Sequence, residues 1–325
     1  MRHFDVISKA QVEHFLDRGY VVIENTLTEE ETGRLLEAMQ RLKTDLLAVE
    51  PDAYVRGCRL GAHRPHDLHF AHILEADPAI YDYLTHPRLV GLAEELVGGI
   101  VRLEESEAII NERDPNAESD GRYGFHVGTW PDLGTYTENG LFHCTFVKPL
   151  TNLTELGPDD GGTVVVAGSH KIKAPREEIT ASAYEDRSLI HQVMAPAGST
   201  LLFGEALIHA TGQNRTDDER MIIIAGFSHP KHMAMANWEP PPEFLATVPE
   251  KKKQLVAGHP FWTWPERHRH LGRHRVGIHI QDLALGPPRQ RTDDGDGAGR
   301  QHRRQLSYAQ TQSRTNLRRL ISSLV

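Results

Sequence analysis

The 325 residues predict a mainly β protein with flanking helices, an antiparallel barrel or jelly roll. Three observations point there. Segments with helical apolar spacing come first, up to about Val97. Beyond Gly98-Gly99 the chain turns to short strand-like runs, with Gly, Pro, Asn and Asp in the gaps. The last 45 or so residues lose that texture and read as a tail.

Each element has a local reason. Ser8 to Leu16 reads as a short helix, with Val12, Phe15 and Leu16 on one face, and Gly19 to Ile23 as a strand. Thr28-Glu29-Glu30-Glu31 is a capping box, and Leu35, Leu36, Met39 and Leu42 follow at helical spacing. Pro87 suits the first turn of a helix to Val97, which Gly98-Gly99 ends. The strand-like runs are Ile100–Ile110, Leu141–Val147, Thr163–Ala167, Thr200–Phe203 and Met221–Phe227. Pro287 to Arg304 is rich in Gly, Asp, Arg and Gln, while Arg314 to Val325 has the pattern of a short helix. The expected organisation is one domain over residues 1–280 and a disordered tail over 281–325.

Composition narrows the function classes. A net charge of −9 argues against a nucleic-acid polymer as partner. No apolar run is long enough for a membrane helix, and Met1-Arg2-His3-Phe4-Asp5 lacks a signal-peptide core. Cys58 and Cys144 are the two cysteines, so no disulfide framework is expected and a reducing cytoplasm fits. The expected partner is a small molecule.

Histidine is abundant, at 20 residues, and most must be ordinary. Three pieces stand out by their order. They are Phe125-His126-Val127-Gly128-Thr129-Trp130, Gly161-Gly162-x5-Gly168-Ser169-His170-Lys171, and Ile208-His209-Ala210-Thr211 with Arg220 eleven residues past His209. Other histidines read as bystanders. His63, His66, His69 and His72 recur every third residue, as along a helix side or loop, and suit a place near a barrel mouth. His268, His270 and His274 look solvated, and His3-Phe4-Asp5 precedes the first helix.

The ordered set resembles the phytanoyl-CoA dioxygenase family of iron(II)- and 2-oxoglutarate-dependent oxygenases, over roughly Gln11 to Phe227. The resemblance implies a double-stranded β-helix, a cupin-like barrel. The family pattern is His-x-Asp, a distal His, then an Arg. Two imidazoles and a carboxylate on one face of Fe(II) leave three adjacent sites, which 2-oxoglutarate and O2 share. By resemblance His126 and His209 are the imidazole ligands, and Arg220 clasps the far carboxylate of 2-oxoglutarate as a fork. Arg215 is the rival for that role. Thr211, two residues past His209, has the strand parity to join the clasp. His170 reads as structural or as a contact just outside the metal, and His143 as barrel lining. Trp130 is a candidate substrate cover.

The departure from the pattern is Gly128, where the family has its Asp. A glycine vacates one metal position and removes one negative charge. Aliphatic halogenases of this superfamily carry Gly or Ala there and bind chloride at the iron, so Gly128 becomes a halide site and chlorination of a small polar metabolite the leading expectation. A nucleotide or another natural-product precursor is the candidate substrate, and Arg56, Arg59, Arg64 and Arg122 are available for a phosphate or carboxylate. The alternative is hydroxylation, with water or another carboxylate completing the site. Asp132 follows Pro131 in an expected loop. Glu205 shares strand parity with His209, but four residues span about 13 Å when extended, too far without a bulge. A third reading is a ligand-binding protein without catalysis.

Overall fold

The computed structural model describes residues 6–64, 66–115, 121–129, 134–138, 141–230, 232 and 239–257. His3, Trp130, Asp132, the His268–His274 group and the expected tail lie outside them. The chain divides into residues 1–260 and 261–325, and all the described residues fall in the first unit.

Four helices lie in the first 97 residues, interleaved with the first three strands. α1 (Lys9–Arg18) starts at a capping box between Ser8 and Gln11 and stops at Gly19, whose φ of 85° suits glycine. α2 (Glu29–Leu47) starts at Thr28, whose N–H donates to Glu31 Oε2 at 2.8 Å. α3 (Pro78–Leu84), capped by Asp77, was not signalled by apolar spacing because it is only two turns long. α4 (Pro87–Val97) has Pro in its first turn and left-handed Gly98 at its end, as its sequence predicts.

The strands form two main antiparallel layers. In chain order they are β1 (Tyr20–Ile23), β2 (Arg59–Arg64), β3 (Asp67–Ala71), β4 (Arg102–Asn111), β5 (Thr135–Glu138), β6 (Leu141–Cys144), β7 (Phe146–Asn152), β8 (Val164–Val166), β9 (Ile190–Gln192), β10 (Thr200–Gly204), β11 (His209–Ala210) and β12 (Arg220–Ser228). The large sheet runs β1-β10-β7-β12-β4-β3-β2, the small one β11-β8-β9, and β5 pairs with β6 in a separate ribbon. This is the mainly antiparallel architecture with flanking helices that the sequence predicts.

Two expectations need correction. The run Leu141–Val147 is two strands, because Thr145 breaks the pairing and leaves β6 with β5 and β7 in the large sheet. The His63–His72 repeat is neither helix nor loop along most of its length. It lies on the β2–β3 hairpin, where a register shift between Leu60 and Ala62 sets His69 opposite Ala62. A period of three mimicked a helix face, whereas the strands are defined by pairing to β4.

The large sheet is covered on both faces, and strand parity decides what points where. On β12, Met221, Ile223, Ala225 and Phe227 join the core made with Leu35, Met39, Leu42 and Leu89 of α2 and α4. Ile222 and Ile224 face the other way and pack with Leu150, Leu201, Phe203 and Val165 between the two sheets. That inner face also carries polar groups: Asp67, His69, Glu105, Glu107, Asn111, Lys148 and Arg220, each in register with or two residues from an inward neighbour. A polar interior in a barrel of this size marks where a ligand goes.

Candidate functional site

His126 and His209 are brought together by the backbone itself. They form an isolated antiparallel bridge in which His126 N–H donates to His209 O at 2.9 Å and His209 N–H to His126 O at 3.0 Å. Directly opposite residues present their side chains on one face, and the two ring centroids are 4.3 Å apart. Each Nδ1 faces a carbonyl oxygen, Gly124 O at 3.1 Å for His126 and Leu207 O at 2.8 Å for His209. Only a protonated nitrogen is favourable there, which leaves both Nε2 lone pairs free for a metal. His209 packs on Phe203 at 4.4 Å between centroids. Burial, and then His126, push its pKa down to about 3, so it stays neutral.

The Gly-Gly-x5-Gly-Ser-His-Lys element is what holds His209 in place. Ser169 Oγ accepts the Ile208 N–H at 2.9 Å, and Val166 N–H donates to Ile208 O at 2.9 Å. A Cβ on Gly162 would come within 2.0 Å of Val193 O, so the close approach there requires glycine. His170 turns away from the metal pair toward α1, its Nε2 3.1 Å from Leu16 O, and burial lowers its pKa to about 4. Its role is to seat the element against α1 and β1.

Arg220 lies at the inner edge of β12, 2 % exposed. It donates to Asn111 Oδ1 at 2.8 Å and to Thr163 Oγ1 at 3.1 Å, while its Nε has no partner. Among the described residues no carboxylate lies within ion-pair distance of it. Thr163 is next to β8, which pairs directly with His209 and Ala210. A guanidinium wholly removed from water and lacking a counter-ion is costly, and burial pulls its pKa down to about 10. The hydroxyl beside it is therefore Thr163, not the expected Thr211, which is exposed. Thr163 lies too far back in the sequence for strand parity with His209 to reveal it. Arg215, the rival, is spent on Asp159 at 3.6 Å.

Gly128 meets Glu205. Gly128 N–H and Thr129 N–H both donate to Glu205 O, at 2.9 and 3.1 Å. A Cβ placed on Gly128 would lie 1.4 Å from Glu205 Oε2 and 2.5 Å from its Cδ. The extended-strand distance argued against Glu205, but the chain turns after β10, with Leu207 N–H donating to Gly204 O at 2.9 Å. That turn brings Glu205 back beside the His126 segment. Glu205 is 2 % exposed, and its Oε1 lies 3.0 Å from Lys148 Nζ, which is also 2.8 Å from Glu105 Oε2. Lys148 is thus the shared cation of two carboxylates. Burial opposes the Lys148 charge, but Glu205 and Glu105 together raise its pKa above the ordinary range.

His143 is on β6, opposite Tyr136 in the β5–β6 ribbon. His69 Nε2 is 3.0 Å from Glu107 Oε2, and this bond holds its pKa above the usual value. Arg56 pairs with Asp45 at 2.9 Å, and Arg122 lies over the Tyr184 ring.

The donor set fits iron(II) with 2-oxoglutarate. Two imidazoles that turn Nδ1 to a carbonyl and leave Nε2 open suit Fe(II), and the orphaned Arg220 Nε suits a dicarboxylate's far end. Among the described residues, no three His, Cys, Asp or Glu side chains are yet grouped as a metal would hold them.

The comparisons with known proteins agree with this geometry. The family model described as Phytanoyl-CoA dioxygenase (PhyH) matches residues 15–222. An ectoine dioxygenase from Nocardia farcinica is 26% identical over 245 residues, covering 68% of this chain and 78% of that protein. Dioxygenase af480 from Aspergillus fumigatus is 26% identical over 247 residues, covering 75% of each. Among solved structures, HygX from Streptomyces hygroscopicus with nickel and 2-oxoglutarate bound aligns with a TM-score of 0.56 at 19% identity, over 71% of this chain and 90% of that one. The epimerase SnoN, in complex with Fe3+, alpha ketoglutarate and nogalamycin RO, aligns at 0.52 and 20% identity, over 74% and 90%. At these identities the two structures speak for the fold. The match of the family model over most of the chain, joined to the His126–His209 pair, shows that the chain belongs to the phytanoyl-CoA dioxygenase family and is a non-haem iron, 2-oxoglutarate-dependent oxidoreductase.

Proposed function

We propose that the protein uses Fe(II), 2-oxoglutarate and O2 to hydroxylate an unactivated carbon of a small polar metabolite. The observation that carries this reading is Arg220, a buried guanidinium without a counter-ion beside the strand that pairs with His209. A dicarboxylate held there by one end would present its other end toward the two imidazoles. The iron centre, when bound, supplies the oxidising power that 2-oxoglutarate and O2 generate together. The chain's own part is to orient these groups. His126 and His209 bind through Nε2, Arg220 fixes the co-substrate, and Asn111 and Thr163 aim the guanidinium.

Hydroxylation is favoured over chlorination by two facts. The curated relatives are dioxygenases, ectoine dioxygenase among them. The volume at Gly128 is filled by a carboxylate, which takes the room of a halide and repels its charge. Chlorination remains the second reading, favoured by Gly128 itself, since the family Asp is missing. The inner wall of Glu105, Glu107, Lys148 and His69 supports a polar substrate. HygX has been solved with hygromycin B and SnoN with nogalamycin RO, so small natural products are a reasonable substrate class.

The test is direct. Fe(II) and 2-oxoglutarate are added without oxygen, and the metal-to-ligand charge-transfer band is recorded. Oxygen is then admitted with a panel of small polar metabolites, chloride and bromide present, and succinate and products are read by mass spectrometry. The expected result is the band, succinate, and a product one oxygen heavier. A chlorinated or brominated product overturns hydroxylation, and the absence of both band and succinate overturns the whole reading.

A further inference from the structure

We infer that Glu205 supplies the carboxylate ligand that the family motif places two residues after its first histidine and that this chain lacks at Gly128. The inference rests on the iron reading above and deepens it.

Residue 128 is the motif's carboxylate position, two residues after His126, and it lies at a bend just past the His126–His209 bridge. Its side-chain volume is occupied, because Glu205 Oε2 sits 1.4 Å from the site of a residue-128 Cβ. A carboxylate is thus delivered to the place where the family delivers one, from the facing segment instead of from the motif. The delivery is fixed by backbone, since Gly128 and Thr129 both donate to Glu205 O. The remaining freedom is in the Glu205 side-chain torsions.

Charge and burial agree. A carboxylate 2 % exposed needs compensation, and one lysine, Lys148, serves two carboxylates, Glu205 through Oε1 at 3.0 Å and Glu105 through Oε2 at 2.8 Å, so a second cation would balance the cluster. The other oxygen, Oε2, occupies the side-chain position of residue 128, and a carboxylate at that position of the motif is suited to a cation. Glycine at 128 and glutamate at 205 then form one device. Any side chain at 128 would displace the carboxylate, and without the carboxylate the site loses its negative ligand. The same device leaves little room for chloride.

The experiment measures metal binding rather than turnover. Fe(II) and Co(II) are titrated anaerobically into the full chain, the Glu205→Gln variant, and the Gly128→Asp/Glu205→Ala double variant, with circular dichroism confirming the fold of each. Glu205→Gln should weaken metal binding by at least about tenfold, while the double variant, carrying the family's Asp, should recover most of that loss. Unchanged affinity in Glu205→Gln, or a folded double variant that binds no better than Glu205→Gln, overturns the inference. A wild-type measurement stands behind these in case a variant misfolds. The charge-transfer band of the Fe(II) and 2-oxoglutarate complex should not shift with chloride up to high concentration, and a saturating shift would place chloride where Glu205 is assigned. Co(II) binding needs no 2-oxoglutarate, so it reads Glu205 even if the co-substrate reading fails.

Discussion

Arg220 donates to Asn111 Oδ1 at 2.8 Å, and Asn111 in turn donates from Nδ2 to Asp67 Oδ1 at 3.1 Å. The guanidinium is therefore aimed by an amide and reaches an acid only at one remove. A neutral acceptor orients the cation without neutralising it, and its charge stays available to a ligand.

Replacing Arg220 tests that availability. Arg220→Gln should weaken 2-oxoglutarate binding about 10- to 100-fold, in line with roughly 1.5–3 kcal/mol for a hydrogen bond to a charged group. Arg220→Lys should retain part of the affinity but lose the fork. Titration of 2-oxoglutarate into the Fe(II)-loaded protein, followed by its charge-transfer band, measures both. Equal affinity in all three proteins would remove Arg220 from the co-substrate site.

Ser169 acts on the metal pair from a distance. Ser169→Ala leaves the buried Ile208 N–H without its acceptor. The expected cost is about 1–3 kcal/mol of stability. Because Ile208 precedes His209, iron affinity should also fall, although residue 169 touches no metal. Denaturant melts paired with Fe(II) titration check this. Stability lost with affinity intact would show that the hydrogen bond does not position His209.

Gly128 is exposed, yet Gly128→Ala should behave as a buried overpacking change, costing about 1–3 kcal/mol. Glu205→Gly introduced with it should relieve the strain. Thermal melts of the single and double variants decide the matter, and a neutral single variant would mean that Glu205 yields its place freely.

Acid stability follows from the buried histidines. Burial pushes the folded pKa of His170 down to about 4 and that of His209 to about 3, against 6.5 for an ordinary histidine. Below pH 6.5 the unfolded chain binds protons that the folded chain refuses. Stability therefore falls as pH drops from 6.5 toward 4, by at most about 1.4 kcal/mol per pH unit for each group. Urea melts of metal-free protein at pH 7, 6 and 5 should show the decline, and His170→Gln should shrink it. A slope identical in wild type and variant would mean that His170 does not contribute.

How much of this was readable from the chain differs by residue. His126, His209 and Arg220 stood out because their short motifs, in that order, resemble the family pattern. The helices at Thr28 and Pro87 were legible through their caps. Glu205 was not, because its place depends on a short turn after β10 that converts four residues of separation into a return toward Gly128. Asn111 reaches Arg220 through the pairing of β4 with β12, and Thr163 reaches it across the two facing sheets, each from more than fifty residues away. Short paired elements such as β2, β3 and β9 carry too little apolar alternation to announce themselves, since their order comes from neighbours rather than from their own residues.

The bridge between His126 and His209 has a consequence for assembly of the barrel. The two residues lie 83 positions apart in the chain, and their backbones meet through a single pair of hydrogen bonds. An ion shared by their rings would act as a removable cross-link at that one rung. Loop-closure entropy grows slowly with length, so tying such distant segments stabilises the closed form substantially. Metal loading should thus protect the amides around residues 124–128 from hydrogen exchange, making the strand that carries His126 a latch fastened by its own cargo.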